Sequence, residues 1–310
     1  MPGTPRRSLE DLRNLENTFY ILLYKVFPTC VPPTISFVTF YRHYPDTPTS
    51  LERIKFFANN VREQSERYGL DSEVVIVESQ PGVLSNVFES PKIKVVQFPT
   101  AQFLWNLAFN IGIRHATGEY ILAGTRDSTY NSELMQFLAS GKLRPHTIYR
   151  IDRRDVKQLE RYPDSVSELL RYCKENTYRV NGKWDAYLPD KKWARPAVAL
   201  LMGALFFPYS VPHTNAAGDF TLMHRDDWYR IRGYPQVISS GLHLDSFVIY
   251  SAIFLGLKQV ILKDPMRLYH VEHPRTDPVP STNILDCLKI MRFAKKPIIL
   301  NDEDWGEGLG

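Results

Sequence analysis

Between Ile35 and Ala123 four short β-branched or aromatic runs are interleaved with segments of helical period, a pattern that only a mostly parallel sheet flanked by helices accommodates easily. Ile35–Tyr41 reads as the first strand and ends at a polar turn with Pro45 and Asp46. Ser50–Tyr68 reads as a helix, with Thr49 or Ser50 as its N-cap and Leu51, Ile54, Phe57, Ala58 and Val61 at helical spacing. Glu73–Glu78 is a second strand, stopped by Gln80-Pro81-Gly82, and Lys92–Phe98 is a third. A helix over Phe103–Ala116 ends at Thr117-Gly118, and a fourth strand, Glu119–Ala123, runs into Gly124-Thr-Arg-Asp127.

The second half is less regular. Helices are expected over Asn131–Ser140, Thr221–Arg232 and Ser246–Leu255, and strands over Val260–Leu262 and Met266–His270. Arg161–Pro196, polar and rich in aromatics, reads as a partly helical excursion over the sheet, and the acidic tail from Asn301 as frayed. No linker or internal repeat interrupts the chain, so residues 1–310 read as one α/β domain.

Composition narrows the classes of function. The 310 residues are 44% hydrophobic and 23% charged, long enough to bury a core without staples. A net charge of +4, spread along the chain, argues against nucleic acid and suits an anionic small ligand. The three cysteines, Cys30, Cys173 and Cys287, have neither metal nor redox spacing, so reduced thiols in a cytoplasmic compartment are expected. Two apolar stretches, Phe19–Val31 and Ala197–Phe207, fall short of the roughly 20 residues a spanning helix needs. The first is read as a buried or capping helix, with peripheral membrane contact as its alternative.

In an open α/β sheet, ligands bind beyond the carboxyl ends of the strands. Glu78 stands at the end of the second strand, and Asp127, flanked by Thr125 and Ser128, follows the fourth. A carboxylate in such a place can accept from a base or ribose, or hold a divalent cation that bridges a diphosphate. Each could equally be a solvated loop carboxylate or a helix cap.

The run Asn110-Ile-Gly-Ile-Arg-His-Ala-Thr-Gly-Glu-Tyr-Ile-Leu-Ala-Gly-Thr-Arg-Asp127 strongly resembles the core signature of GT-A glycosyltransferases related to family 2. There a helix and strand of the form N-x-G-I-x-x-A-x-G-E-Y-I lead into an acidic metal-binding motif. The resemblance extends from about Ile35 to His273. It implies a Rossmann-like nucleotide-binding half, 32–160, and an acceptor-binding and catalytic half, 161–300. It further implies a nucleotide-sugar donor, a carbohydrate or glycan acceptor, and a divalent cation, Mn²⁺ or Mg²⁺. On the donor side it points to Thr39, Tyr41, Glu78, Asn110, Arg114, Thr125, Arg126 and Asp127. The charged run Tyr149–Asp155, otherwise a solvated loop, adds Arg150 and Arg153. The family pattern has aspartate at both ends of its D-x-D motif, whereas Thr125 fills the first place here. One carboxylate makes a weaker metal site, and Arg126 offsets diphosphate charge if it points inward.

The same resemblance places the acceptor at Gly218, Asp219, Trp228 and His243; Trp184, Tyr187 and Trp193, by residue type alone, are either sugar-stacking aromatics or core filling. Asp245 matches the general base of inverting members, taking the proton of the attacking hydroxyl. Its alternative is an N-cap for the following helix, with Asp219 as the rival base. Of the late histidines, His270 or His273 would reach the metal alongside Asp127. Three other classes compete. A sugar nucleotidyltransferase would carry an early glycine-rich phosphate loop, yet no glycine occurs between Tyr41 and Gly69. A non-catalytic nucleotide-sugar-binding module would suit the weakened Thr-Arg-Asp motif but not the retained Asp219 and Asp245. An oxidoreductase lacks its Gly-x-Gly-x-x-Gly after the first strand.

Overall fold

A computed structural model describes residues 34–43, 49–100, 104–182, 212–236, 243–273 and 284–307. The apolar runs 19–31 and 197–207, together with Cys30, Trp184, Tyr187 and Trp193, lie outside the described residues.

Strand β1 (Ile35–Tyr41) is buried along its whole length, Ser36 and Thr39 included, as expected for a strand covered on both faces. It pairs in parallel with β2 (Ser72–Glu78) and with β4 (Tyr120–Ala123). The register sets Tyr41 opposite Glu78 and Val38 opposite Ala123. β3 (Ile93–Gln97) adds in parallel to β2. On the other side β9 (Thr221–His224) lies antiparallel between β4 and β6 (Thr147–Ile151), and β10 (Lys258–Leu262) runs parallel to β6. The order of this seven-stranded sheet is β10-β6-β9-β4-β1-β2-β3. A second sheet of four strands, β5-β11-β7-β8, comprises β5 (Ser128–Tyr130), β11 (Leu268–Val271), β7 (Arg153–Val156) and β8 (Thr177–Asn181).

Three expectations are corrected here. Thr221–Arg232 is not one helix: β9 gives way directly to helix α5 (Arg225–Ile231), whose start is capped by the His224 side chain accepting from Asp226 N–H. A four-residue strand abutting a helix shows no period of its own. The charged run 149–155 is not a solvated loop, because it supplies the end of β6 and the start of β7, and Arg150 is fully buried. The C-terminal tail is not frayed over 301–307. Trp305 is buried, and Asn301 donates to the carbonyls of Arg232 and Tyr234, both at 2.6 Å.

Helix α1 (Ser50–Tyr68) packs Ile54, Phe57, Ala58 and Val61 into the core and ends at Gly69 in the left-handed region. Thr49 occupies its N-cap position without a side-chain cap bond, since its backbone lacks the extended conformation that capping requires. Arg53, Asn60 and Gln64 are also buried, at helical spacing on the face carrying Phe57. Asn60 exchanges bonds with the backbone of Tyr130 (3.1 and 3.0 Å), and Gln64 donates to the same carbonyl at 2.7 Å. A polar stripe on α1 therefore fixes β5.

Helix α2 (Trp105–His115) covers the opposite face of β1 and β2 and is tied to the turn after α5 by Asn110. Its Nδ2 donates to Tyr234 O at 2.8 Å and its Oδ1 accepts from Tyr234 N at 2.7 Å. The remaining helices are α3 (Ser132–Leu138), α4 (Val166–Glu175), α6 (Leu244–Phe254) and α7 (Ile284–Ala294), the last packed on α6. Among the described residues no helix is long and apolar enough to cross a membrane.

Gly233 closes the Asn110 clip. Its φ is +65°, and a Cβ there would stand 2.2 Å from Asn110 Oδ1 and 2.7 Å from the Trp305 ring. Gly233→Ala is expected to cost about 2–4 kcal/mol, combining left-handed strain with overpacking. Urea unfolding will show this as a lower midpoint at unchanged slope.

Candidate functional site

The carboxyl ends of β1, β2 and β4 open toward one edge of the sheet. Beyond Ala123 the chain stays beside β1 for one more residue, with Gly124 N donating to Val38 O at 3.0 Å. A Cβ at Gly124 would sit 2.5 Å from Asp219 O, so only glycine lets these two backbones pass. The chain then turns through Thr125–Asp127, with Ser128 N donating to Thr125 O, and enters β5.

Asp127 is 8% exposed and doubly engaged. Arg53 Nη1 donates to its Oδ1 at 2.7 Å, and His273 Nε2 stands 3.2 Å from its Oδ2. Burial alone would raise its pKa, but His273, Arg126 and Arg53 outweigh that and hold the carboxyl well below the usual range. The Arg126 guanidinium lies against β1, 5.8 Å from the Tyr41 ring centre and 6.0 Å from that of Phe40.

Asp219, at the turn before β9, faces three elements at once. Thr125 Oγ1 donates to its Oδ1 at 2.6 Å, Arg153 Nη1 of β7 to its Oδ2 at 2.8 Å, and His270 Nδ1 of β11 stands 3.3 Å from Oδ1. Its burial is again outweighed, by His270, Arg153 and Thr125, and the carboxyl is held low. Burial pulls His270 down, yet the Asp219 charge wins and holds the imidazolium above its ordinary value. Arg153 also donates through Nε to Asp155 Oδ1 at 2.7 Å.

Asp245 differs in kind. It is partly exposed and accepts one backbone N–H on each oxygen: Gly218 N on Oδ2 at 3.0 Å and Ser246 N on Oδ1 at 2.7 Å. Burial raises its pKa, and the N–H bonds and the Arg150 charge offset this only in part. It does not cap α6. His243, in the left-handed region and exposed, holds the N-cap position, and Asp245 lies inside the first turn.

Several expected ligand contacts prove to be structural. Asn110 is committed to Tyr234 at mid-helix. Arg114 lies at the far end of α2, near the start of β1, where it pairs with Glu307 at 2.7 Å and sits over the rings of Tyr229 and Trp305. Trp228 is fully buried, its indole donating to Ile121 O at 3.0 Å, so it offers no face to a sugar. Arg150 is fully buried and donates to His213 O, Asn215 O and Thr221 Oγ1. Burial lowers its pKa to about 10, and its three bonds clamp the segment bearing Asp219. Glu78 is enclosed, accepting from Leu84 N at 2.9 Å and Gln97 Nε2 at 2.6 Å. Thr39 and Tyr41 hold the expected place at the end of β1 but are fully buried.

The donor set at Asp127, His270 and His273 does not fit a divalent cation as it stands. Hard cations take several convergent oxygens. Here one oxygen of Asp127 holds a guanidinium, the Nε2 of His273 faces the other, and His270 faces Asp219. Thr125 supplies no charge and directs its hydroxyl to Asp219. Among the described residues no group of three His, Cys, Asp or Glu is arranged to hold a metal.

Sequence reasoning missed two residues. Arg53 was legible as a charge in phase with the buried face of α1. Tyr234 carries a fully buried hydroxyl without a hydrogen-bond partner among the described residues. Burial and the nearby Asp245 charge keep its phenol protonated, against the opposing charge of Arg150.

No protein-family model matches the sequence, and no curated protein matches it. Solved structures do. S. aureus TarS residues 1–349, in complex with UDP-GlcNAc, is 12% identical at a TM-score of 0.52, covering 88% of this chain and 69% of that one. A structure of S. aureus TarS is 16% identical at a TM-score of 0.47, covering 78% of this chain and 37% of that one. Mannosyltransferase PcManGT from Pyrobaculum calidifontis, in complex with GDP-Man and Mn²⁺, is 16% identical at 0.44, covering 83% and 64%. The chain thus spans less than two thirds of the mannosyltransferase. At these identities the likeness is one of fold, and the fold, a seven-stranded α/β sheet flanked by helices, is of the GT-A glycosyltransferase type.

Proposed function

We propose that this chain is a nucleotide-sugar-dependent glycosyltransferase that moves a sugar onto an acceptor hydroxyl with inversion, in glycan or polysaccharide synthesis. One observation carries the reading. Asp245 accepts from Gly218 N, Asp219 follows in the same turn, and Asp219 is bonded to Thr125 of the loop that carries Asp127. A hydrogen-bonded path thereby ties the candidate base to the strand ends where a donor diphosphate would lie. Residues 32–160 form the donor half and 161–300 the acceptor half in this reading.

Asp245 takes the proton of the acceptor hydroxyl as its oxygen bonds to the anomeric carbon, and the bond from that carbon to the diphosphate oxygen breaks on the opposite face. Burial makes it a better base than an ordinary aspartate. Gly218 and His243 flank it on the acceptor side.

Nucleoside diphosphates and nucleotide-sugars are expected to raise the melting temperature, since any ligand that prefers the folded state must. The absence of a shift with every nucleotide tested would overturn the transferase reading. Asp245→Asn should retain the fold by circular dichroism and retain donor binding while transfer falls about 10²- to 10⁴-fold. Transfer at the wild-type rate would remove Asp245 as the base. Because the folded pKa of Asp245 is raised and the base works ionised, the acid limb of kcat should lie above the ordinary aspartate value of about 4. A limb at or below that value contradicts the assignment.

A further inference from the structure

Helix α7 carries a face that neither the donor side nor the acceptor side uses. Its inner stripe, Ile284, Leu288 and Met291, is buried against Leu244, Phe247 and Tyr250 of α6. A helix packed in this way normally leaves a polar face to water. Here Phe293 is the most exposed large apolar side chain among the described residues, at 94%, and Ile290 (56%) and Leu285 (45%) lie on the same helix. At about 3.6 residues per turn, Phe293 projects almost directly away from the buried stripe. Ile290 lies to one side of it, and Lys289 and Arg292 lie to the other. The result is a ridge in which an aromatic ring stands beside basic side chains.

We propose that this ridge docks α7 on an anionic phospholipid surface, with Phe293 and Ile290 entering the interface and the basic side chains meeting the headgroups. The proposal is independent of the transferase reading. Charge selects the partner. From Ile284 to Lys296 four cations, Lys289, Arg292, Lys295 and Lys296, stand against the single carboxylate of Asp286, and all five residues are exposed. Lys289 donates to Asp286 at 2.8 Å, but both side chains are largely exposed, so water and salt weaken the pair. Lys295 Nζ lies 5.8 Å from the ring centre of Phe254, at the end of α6. The acidic tail turns away from this face. Ile298 and Leu300 return to the α6–α7 core, Asn301 binds the Tyr234 carbonyl, and Glu303 and Glu307 face Arg232 and Arg114. A second copy of the chain seated symmetrically on the ridge would set like charges against one another. An anionic bilayer meets those charges favourably and also takes up a projecting ring, which is how basic amphipathic helices lie on membranes without crossing them.

The test is flotation of the full chain with vesicles of phosphatidylcholine alone and with vesicles that also contain phosphatidylserine, at low and at physiological salt. Wild-type protein is expected to float with the anionic vesicles, to float weakly with the neutral ones, and to lose affinity as salt rises. Phe293→Ser should lower affinity for the anionic vesicles about tenfold or more. The double variant Arg292→Gln, Lys296→Gln should lower it by about fivefold for each charge removed. All three side chains are exposed, so both variants should keep the wild-type melting temperature and its response to nucleotides. Phe293→Ser floating as well as wild type overturns the proposal and moves any membrane contact elsewhere in the chain. Equal flotation with neutral and anionic vesicles overturns it by removing the role of charge. Flotation with neither overturns it as well, and sedimentation velocity then reads whether the ridge joins two copies of the chain.

Discussion

The carboxylate of Asp219 joins three separate elements of this molecule. Its partners come from the loop after β4, from β7 and from β11, so one side chain links the seven-stranded sheet to the four-stranded one. Through the preceding residue, Gly218, the same turn reaches Asp245 and the start of α6. Such a buried anion is tolerable only because each oxygen is met by a donor or a cation. Removing any of Thr125, Arg153 or His270 would leave the Asp219 charge less well matched at low dielectric.

The second constraint lies in α1. A helix that packs on a sheet normally turns an apolar stripe inward, and α1 does so with Ile54, Phe57 and Val61. Yet the same face carries Arg53, Asn60 and Gln64, all buried. Asn60 and Gln64 fasten β5 through the backbone of Tyr130, and Arg53 fastens the residue just ahead of β5 through Asp127. Asn60, the Gln64 amide nitrogen and Arg53 each find a partner across this face, so the helix fixes both the second sheet and the loop that carries the candidate donor site.

The four strands from Ile35 to Ala123 and the two helices among them were legible because apolar periodicity survives burial on both faces. Asp127, Asp219, Asp245 and the late histidines were legible through the resemblance and through their places at strand ends. Other features left no local trace. β5 and β9 are three and four residues long, too short to display alternation, and they exist because neighbouring strands supply their hydrogen bonds. The roles of Asn110 and Arg114 depend on residues 229–307, and that of Trp228 on the backbone of Ile121, and spacing along the chain does not report that. The docked tail escaped notice for the same reason: its acidic residues face solvent while Asn301 and Trp305 turn inward.

What separates the carboxylates of this site is the nature of their partners. Asp127 and Asp219 face guanidinium and imidazole groups and are held in the charged form far below the usual range. Asp245 faces two neutral backbone N–H groups, and its pKa is raised. Arg150 lies close enough to temper it but directs its N–H groups to His213, Asn215 and Thr221. A direct Arg150–Asp245 pair would have lowered that pKa. Environments that drive neighbouring carboxylates apart are how acid–base roles are assigned on one scaffold. Two aspartates held ionised among cationic partners thus stand beside a third whose pKa is raised, and the proposed transfer to a hydroxyl draws on that difference.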